Sequence, residues 1–334
     1  MLLSIAVPWY KSKDSVPVLY ERCLAAFDRM PEFSAIEFVF VEDCGRDGTW
    51  EALALLAAKD PRVKVARFTR NFGQHHTITA CLDLCQGDWV VVMDCDLQDR
   101  PEEIPRLWAK AREEELDMVC ARRGRRKDSL WKRSSSIIFA SVFNWLTGMK
   151  TDSQVGNFRI MKKSVVEALQ LMRESTRCLG AQLNWLGFTG GFVDVEHASR
   201  FSGESSYTLT KLFRLAADEI ISYSDKPLRI SIAVGAALSC VSLLFAAAIV
   251  CKKLFMGVEI SGWASIMVSI WFLGGLLIGN LGIIGLYLGK IYTEVKRRPI
   301  YVIAEQINCL GSSQSEKCAS NAALYNSSFK STAS

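Results

Sequence analysis

The first 120 or so residues alternate between short apolar runs and longer stretches whose apolar residues recur every three to four positions. Leu2–Pro8, Ile36–Val41, Val63–Phe68, Trp89–Met93 and Met118–Ala121 are runs of the first kind and predict buried strands. Val16–Met30, Thr49–Ala58, Gln74–Cys85 and Pro101 to about Glu114 predict helices, the last opened by a proline, which suits a first helical turn. Such alternation predicts an α/β domain with a mainly parallel sheet and helices on both faces.

The pattern changes after Arg122. Arg122, Arg123, Arg125, Arg126, Lys127, Lys132 and Arg133 form a basic cluster. Ile137, Ile138, Phe139, Val142, Phe143, Trp145 and Leu146 follow it. A basic lead-in to an apolar, aromatic stretch suits a helix lying in a membrane interface near 134–147, and equally a buried helix of the domain. A second interfacial candidate runs from Leu209 to Tyr223.

No charged residue occurs from Ile230 to Cys251 or from Ile260 to Gly289. Each run reaches the roughly 20 residues that a helix needs to cross a bilayer. Together they predict a C-terminal two-helix transmembrane hairpin, the second helix long enough to tilt. Lys226, Arg229, Lys290, Lys296, Arg297 and Arg298 flank the hairpin, whereas its loop carries Lys252 and Lys253. The positive-inside bias puts the N-terminal domain in the cytoplasm, on a multi-pass protein of the inner (cytoplasmic) membrane. Gly275-x-x-x-Gly279 and Gly285-x-x-x-Gly289 either permit close helix packing or are merely tolerated. The predicted organisation is a catalytic domain over 1–225, two spans over 226–290, and a cytoplasmic tail over 291–334. The tail's Ser, Ala and Asn content predicts disorder after about 308.

Composition narrows this further. Met1–Pro8 is too short and too uncharged for a signal peptide. Eleven cysteines lie scattered without a paired framework, as in a reducing compartment. Cys81 and Cys85 are one helical turn apart with no nearby second pair for zinc, and read as core. The formal net charge of +5 suits an anionic bilayer surface and does not point to nucleic acid. Gly-x-Gly-x-x-Gly after the first strand and a Walker-type motif are both missing, which argues against a classical dinucleotide site. There is no internal repeat.

Acids stand where two predicted strands end: Asp43 after Phe38–Val41, and Asp94, Asp96 and Asp99 after Trp89–Met93. Open α/β sheets bind ligands at that edge. Asp94 and Asp96 are two apart, so they share one side of an extended chain. Such oxygen ligands suit a hard cation, Mg²⁺ or Mn²⁺, shared with substrate phosphates. Taken alone, an Asp-x-Asp after a strand can equally be a solvated acidic turn.

Several segments carry a resemblance in order along residues 2–300. Val41-Glu42-Asp43-Cys44-Gly45-Arg46-Asp47-Gly48-Thr49 resembles the V-D-D-G-S-x-D-G-T signature of family 2 glycosyltransferases. Arg70-Asn71-Phe72-Gly73 and Met93-Asp94-Cys95-Asp96-Leu97-Gln98-Asp99 resemble R-N-F-G and M-D-A-D-L-Q-D of the polyprenyl-phosphate branch, which includes dolichol-phosphate mannose synthase and bacterial undecaprenyl-phosphate glycosyltransferases. Gly156-Asn157-Phe158-Arg159 is similar to G-D-F-R, Arg200 to Tyr207 to R-x-x-G-x-S-K-Y, and Pro227-Leu228-Arg229 to the P-L-R before the first span.

The resemblance implies a GT-A fold, a nucleotide-sugar donor (UDP-linked by analogy) and a polyprenyl phosphate acceptor. It implies nucleotide-sugar contacts at Pro8, Tyr10, Asp43, Asp94, Cys95, Asp96 and Gln98, with the metal at Asp96 and Gln98. Acceptor phosphate contacts fall on Arg122, Arg133, Arg200 and Ser205, since the arginine fork pairs phosphate oxygens bidentately. For Arg122 and Arg133 the alternative to a phosphate contact is a solvated or lipid-facing cation. Asp94, Asp96, Arg122 and Arg200 are the expected catalytic set. A homotetramer formed through the spans and a flippase partner are compatible with the resemblance.

The chain also departs from the family pattern. P-x-Y-N-E becomes Pro8-Trp9-Tyr10-Lys11-Ser12, Glu42 replaces an Asp, and His197 and Ser206 stand where Arg and Lys are frequent. His75, His76 and His197 read as structural. Asn157 replaces the Asp of G-D-F-R. That change does not forbid catalysis, because a phosphate monoester has a second pKa near 6 and is its own nucleophile at pH 7. Holding donor and acceptor in line and neutralising the leaving diphosphate is the greater task. In-line displacement inverts the anomeric carbon. The rival readings are a catalytically impaired membrane scaffold and a processive polysaccharide synthase. Gln182-Leu183-Asn184-Trp185 lacks the arginine of the Gln-x-x-Arg-Trp motif that such synthases carry.

Overall fold

A computed structural model describes residues 1–123, 145–146, 155–195, 220–222, 224–256 and 262–309. These fall into two compact units. One takes the described residues up to 123, with 155–195 and 299–309. The other takes 145–146 and the described residues from 220 to 298.

The first unit is an eight-stranded mixed sheet in the order β7-β5-β6-β4-β1-β2-β3-β8. Its strands are β1 (Leu2–Trp9), β2 (Ala35–Glu42), β3 (Val63–Phe68), β4 (Trp89–Val92), β5 (Met118–Arg123), β6 (Val155–Lys162), β7 (Gly190–Val195) and β8 (Ile303–Ile307). The pairs β1–β2, β1–β4, β2–β3 and β5–β7 are parallel, and β3–β8, β4–β6 and β5–β6 are antiparallel. The central strands are buried on both faces, which is why they read as almost wholly apolar runs.

Helices α1 (Ser15–Phe27), α2 (Thr49–Lys59), α3 (Gln74–Leu84), α4 (Ile104–Glu113), α5 (Lys163–Leu171) and α6 (Leu179–Leu186) complete the unit. In α4, Ile104, Leu107, Trp108 and Ala111 are buried at helical spacing, and Trp108 packs edge-on against Phe33 and Trp89. On the opposite face of the sheet, α3 buries Ile78, Cys81, Leu82 and Leu84. Cys81 and Cys85 are unpaired thiols packed there, as a core reading expects.

The elements expected up to Ala121 are present within a few residues of the expected bounds. β6, α5, α6, β7 and β8 were not foreseen. β8 is the most consequential, because a segment expected to be tail adds an edge strand to β3.

The second unit holds α7 (Lys226–Met256) and α8 (Trp263–Val295). Both are long and apolar enough to cross a membrane. Their large apolar side chains face outward: Leu243, Leu244, Ile278 and Leu281 are each more than 60% exposed. Ser231 donates to Asn280 between the helices, and Tyr287 donates to the Ser224 carbonyl over 2.6 Å. Among the described residues, a Cβ added at Gly275, Gly279, Gly285 or Gly289 meets no atom within 4 Å. Trp145 is exposed, and the Lys226 ammonium lies 5.5 Å from its ring centroid. Apart from 145–146 and 220–222, which are helical, both interfacial-helix candidates lie outside the described residues.

Candidate active site

β1 and β4 are parallel neighbours whose onward connections run in opposite directions along the sheet, from β1 to β2 on one flank and from β4 to β5 on the other. The crevice beyond their carboxyl ends is therefore the topological switch point, where sheets of this kind take ligands. Pro8 and Tyr10 end β1 there, and Asp94, Cys95 and Asp96 follow β4. Asp43 ends the adjacent β2.

Backbone strain concentrates on this edge. Lys11, Cys44, Arg46 and Leu97 have φ of 50°, 54°, 55° and 60°, sparsely populated values for residues with a Cβ, and all lie in the loops after β1, β2 and β4. Gly45 fits between these loops because a Cβ there would sit 3.0 Å from the Lys11 nitrogen. Leu97 turns its side chain into the core, and Asp99 accepts from the Asp94 N–H over 3.2 Å, so the β4 loop is closed from both ends.

The Asp43 carboxylate is buried and faces its own fold. Its two oxygens accept from the Phe72 and Gly73 N–H groups over 2.6 and 2.9 Å. Burial raises its pKa, and the two N–H bonds oppose that rise. The acid thereby fixes the Arg70–Gly73 turn, which enters α3 through Gly73 at φ 97°. Glu42 is buried beside it and accepts from the Gly45 N–H, with the Arg67 guanidinium 3.6 Å away. Arg67 also reaches Glu305 of β8 and lies over the Trp50 ring.

Asp94 is held from two other elements. Its Oδ1 accepts from Gln74 Nε2 of α3 over 2.8 Å and from Asn157 Nδ2 of β6 over 3.2 Å. Asp96, half-buried, accepts from the Gln98 N–H over 3.1 Å. The Cys95 thiol lies within hydrogen-bond reach of the Ser12 side chain and the Tyr10 backbone, and burial pushes its pKa up to about 11, which favours the neutral thiol. Tyr10 is 46% exposed, with the Lys11 ammonium 5.4 Å from its centroid.

Pro8, Tyr10, Asp43, Asp94, Cys95, Asp96 and Gln98 thus share one edge of the sheet. Arg122 stands at the same edge on β5, two strand spacings or about 10 Å from the β4 line. There its guanidinium forks onto Asp194 of β7 over 2.6 and 3.2 Å. That pair is exposed and screened by solvent, so a phosphate can compete for the arginine. Arg133, Arg200 and Ser205 lie outside the described residues, as do His197 and Ser206. Sequence reasoning missed Gln74 and Asp194. The signal for Gln74 was its place directly after Arg70–Gly73, at the mouth of a helix.

Among the described residues no three His, Cys, Asp or Glu side chains group into a metal cage. Asp96 and Gln98 offer oxygen donors on a half-buried loop. That donor set fits a hard cation bound jointly with substrate phosphates better than one enclosed by protein alone.

Residues 4–170 match the family described as glycosyl transferase family 2. Among the relatives, an uncharacterised glycosyltransferase of Synechocystis sp. is 35% identical over 304 residues, spanning 91% of this chain and 95% of its own length. A prophage bactoprenol glucosyl transferase homologue of Escherichia coli is 34% identical over 304 residues, spanning 91% of this chain and 98% of its own. Among solved structures, glucosyl-3-phosphoglycerate synthase of Mycobacterium tuberculosis with Mn²⁺, UDP and phosphoglyceric acid is similar at a TM-score of 0.48. It is 13% identical, over 66% of this chain and 76% of that one.

Proposed function

The chain belongs to glycosyl transferase family 2, and on that premise we propose that it moves one sugar from a UDP-sugar to undecaprenyl or a related polyprenyl phosphate. The reaction takes place at the cytoplasmic face of the inner membrane, to which α7 and α8 anchor the protein as a multi-pass chain. The observation that carries this reading is the pair Asp94 and Asp96 at the β1/β4 switch point of a chain that also bears two membrane-length helices. Relatives that span almost the whole chain and are named for glucosyl transfer to bactoprenol support it.

In this reading the nucleotide lies along the ends of β1 and β2. The exposed Tyr10 ring offers a stacking face, and Pro8, Asp43 and Cys95 shape the floor. Asp94 faces the donor sugar. Asp96 and Gln98 hold Mg²⁺ or Mn²⁺, which when bound neutralises charge on the departing diphosphate. The acceptor's phosphate is largely dianionic at neutral pH, so its own oxygen attacks the anomeric carbon. The new C–O bond forms as the bond to UDP breaks, with inversion, and the electron pair leaves on the diphosphate. No proton needs removing, which agrees with an amide rather than an acid at position 157. Arg122 exchanges Asp194 for the lipid phosphate, joined by Arg133, Arg200 and Ser205.

The test is transfer by the full chain in detergent with labelled donor and undecaprenyl phosphate. Asp96→Ala is expected to lower the rate at least about 100-fold, the scale on which loss of a group stabilising developing charge is felt. Undiminished transfer sinks the assignment of Asp96. Metal-dependent UDP binding without transfer to any lipid phosphate supports a scaffold instead.

A further inference from the structure

We infer that Gln74 and Asn157 form an amide clamp that holds the Asp94 carboxylate in its working orientation, so that Asn157 is a positioning residue in place of an acid. This rests on the functional reading above for the role of Asp94, but the clamp itself is a matter of geometry.

Two amide donors from separate elements converge on one oxygen, Oδ1 of Asp94, over 2.8 and 3.2 Å. Both donors are themselves held. In the β4–β6 register Val92 faces Arg159, and the same register carried two residues on sets Asn157 opposite Asp94. Arg159 is buried, and its guanidinium donates to the carbonyls of Asn157 and Gly156 over 3.0 and 2.6 Å, fixing the end of β6. Gln74 follows Gly73, whose N–H is held by Asp43. The Asp43 carboxylate and the Asp94 carboxylate are thus tied through the start of α3, so the loop after β2 sets the donor that reaches the loop after β4.

The donor sense of residue 157 matters here. An amide nitrogen 3.2 Å from a carboxylate is a charge-assisted hydrogen bond. A carboxylate in its place brings two like charges to the same separation, where one must turn away. An asparagine at this position is therefore matched to an Asp94 used as a carboxylate, and a base at 157 is not needed by an acceptor that arrives ionised.

Two measurements on the full chain in detergent test the clamp. In the transfer assay, Asn157→Asp and Asn157→Ala are each expected to lower kcat about tenfold or more, as fits loss of a hydrogen bond to a charged group. Manganese-dependent UDP binding by both should stay within about twofold of the unaltered chain, since the nucleotide contacts lie elsewhere. Gln74→Ala is expected to act in the same direction. The second measurement needs no activity. Asn157→Asp should lower the melting temperature by about 2–6 °C. Adding Asp94→Asn, which exchanges donor and acceptor across the pair, should recover most of that loss. Transfer by Asn157→Asp at or above the unaltered rate overturns the inference. So does a double variant that melts no higher than Asn157→Asp alone. If the unaltered chain transfers no sugar at all, the proposed function fails, and the melting comparison still decides the clamp.

Discussion

Tyr301 stacks on Phe68, their ring centroids 5.2 Å apart and their planes 18° from parallel. Phe68 ends β3, whereas Tyr301 follows the second membrane-length helix and leads into β8. The Tyr301 hydroxyl donates to Asp83 over 2.7 Å, and Asn308 donates to the carbonyls of Ala57 and Val63 over 2.8 and 3.0 Å. The chain beyond the hairpin is thus part of the catalytic sheet and closes the exposed edge of β3.

Removing residues 299–334 should therefore destabilise the catalytic unit and promote association through the bared β3 edge. The single change Asn308→Ala leaves two carbonyls without their donor and should cost about 1–3 kcal/mol. Chemical unfolding followed by tryptophan fluorescence measures both, and unchanged midpoints would show the strand to be dispensable.

Asp43 supplies a second expectation. Its carboxylate accepts from two N–H groups. Asp43→Asn keeps one acceptor oxygen and turns an NH₂ toward the other N–H, so it should cost about 1–3 kcal/mol and loosen the Arg70–Gly73 turn. Nucleotide affinity should fall with stability, read by calorimetry with UDP and Mn²⁺ beside thermal unfolding. A variant as stable as the unaltered chain would remove the structural role given to this acid.

The expectation for pH rests on His75. Burial pushes its pKa down to about 4 from 6.5, so the folded chain keeps it neutral where the unfolded chain protonates it. Between these values the unfolded state binds more protons, so stability is fully present above pH 6.5 and is lost as pH falls toward 4, by up to about 3 kcal/mol. His75→Gln should flatten this part of the stability profile. The same acid loss in the variant would contradict the assignment.

How legible the protein was in its sequence follows from which groups carry a pattern. β1, β2 and β4 were readable because both their faces are buried and their runs are almost wholly apolar, and β3 because Val63, Val65, Ala66 and Phe68 stay buried around Lys64 and Arg67. β6 was not, because Asn157 and Arg159 interrupt its apolar run with side chains that serve the site. β8 was not, because an edge strand whose central residues are exposed needs no apolar pattern. Asp94 and Asp96 stood out as acids after a buried strand. Gln74 did not, because an exposed amide at a helix start acquires meaning only when the fold brings β4 to it. The hold of Asp43 on Phe72 and Gly73 was likewise hidden, since those partners lie on the next strand's loop.

The central claim is tested most directly by incubating the purified full chain with an α-linked UDP-sugar, Mn²⁺ and undecaprenyl phosphate, and determining the products. The account predicts UDP and a lipid-linked monosaccharide in equal amounts, the sugar β-linked through a phosphodiester. Release of free sugar without a lipid product, or an α-linked product, would contradict it.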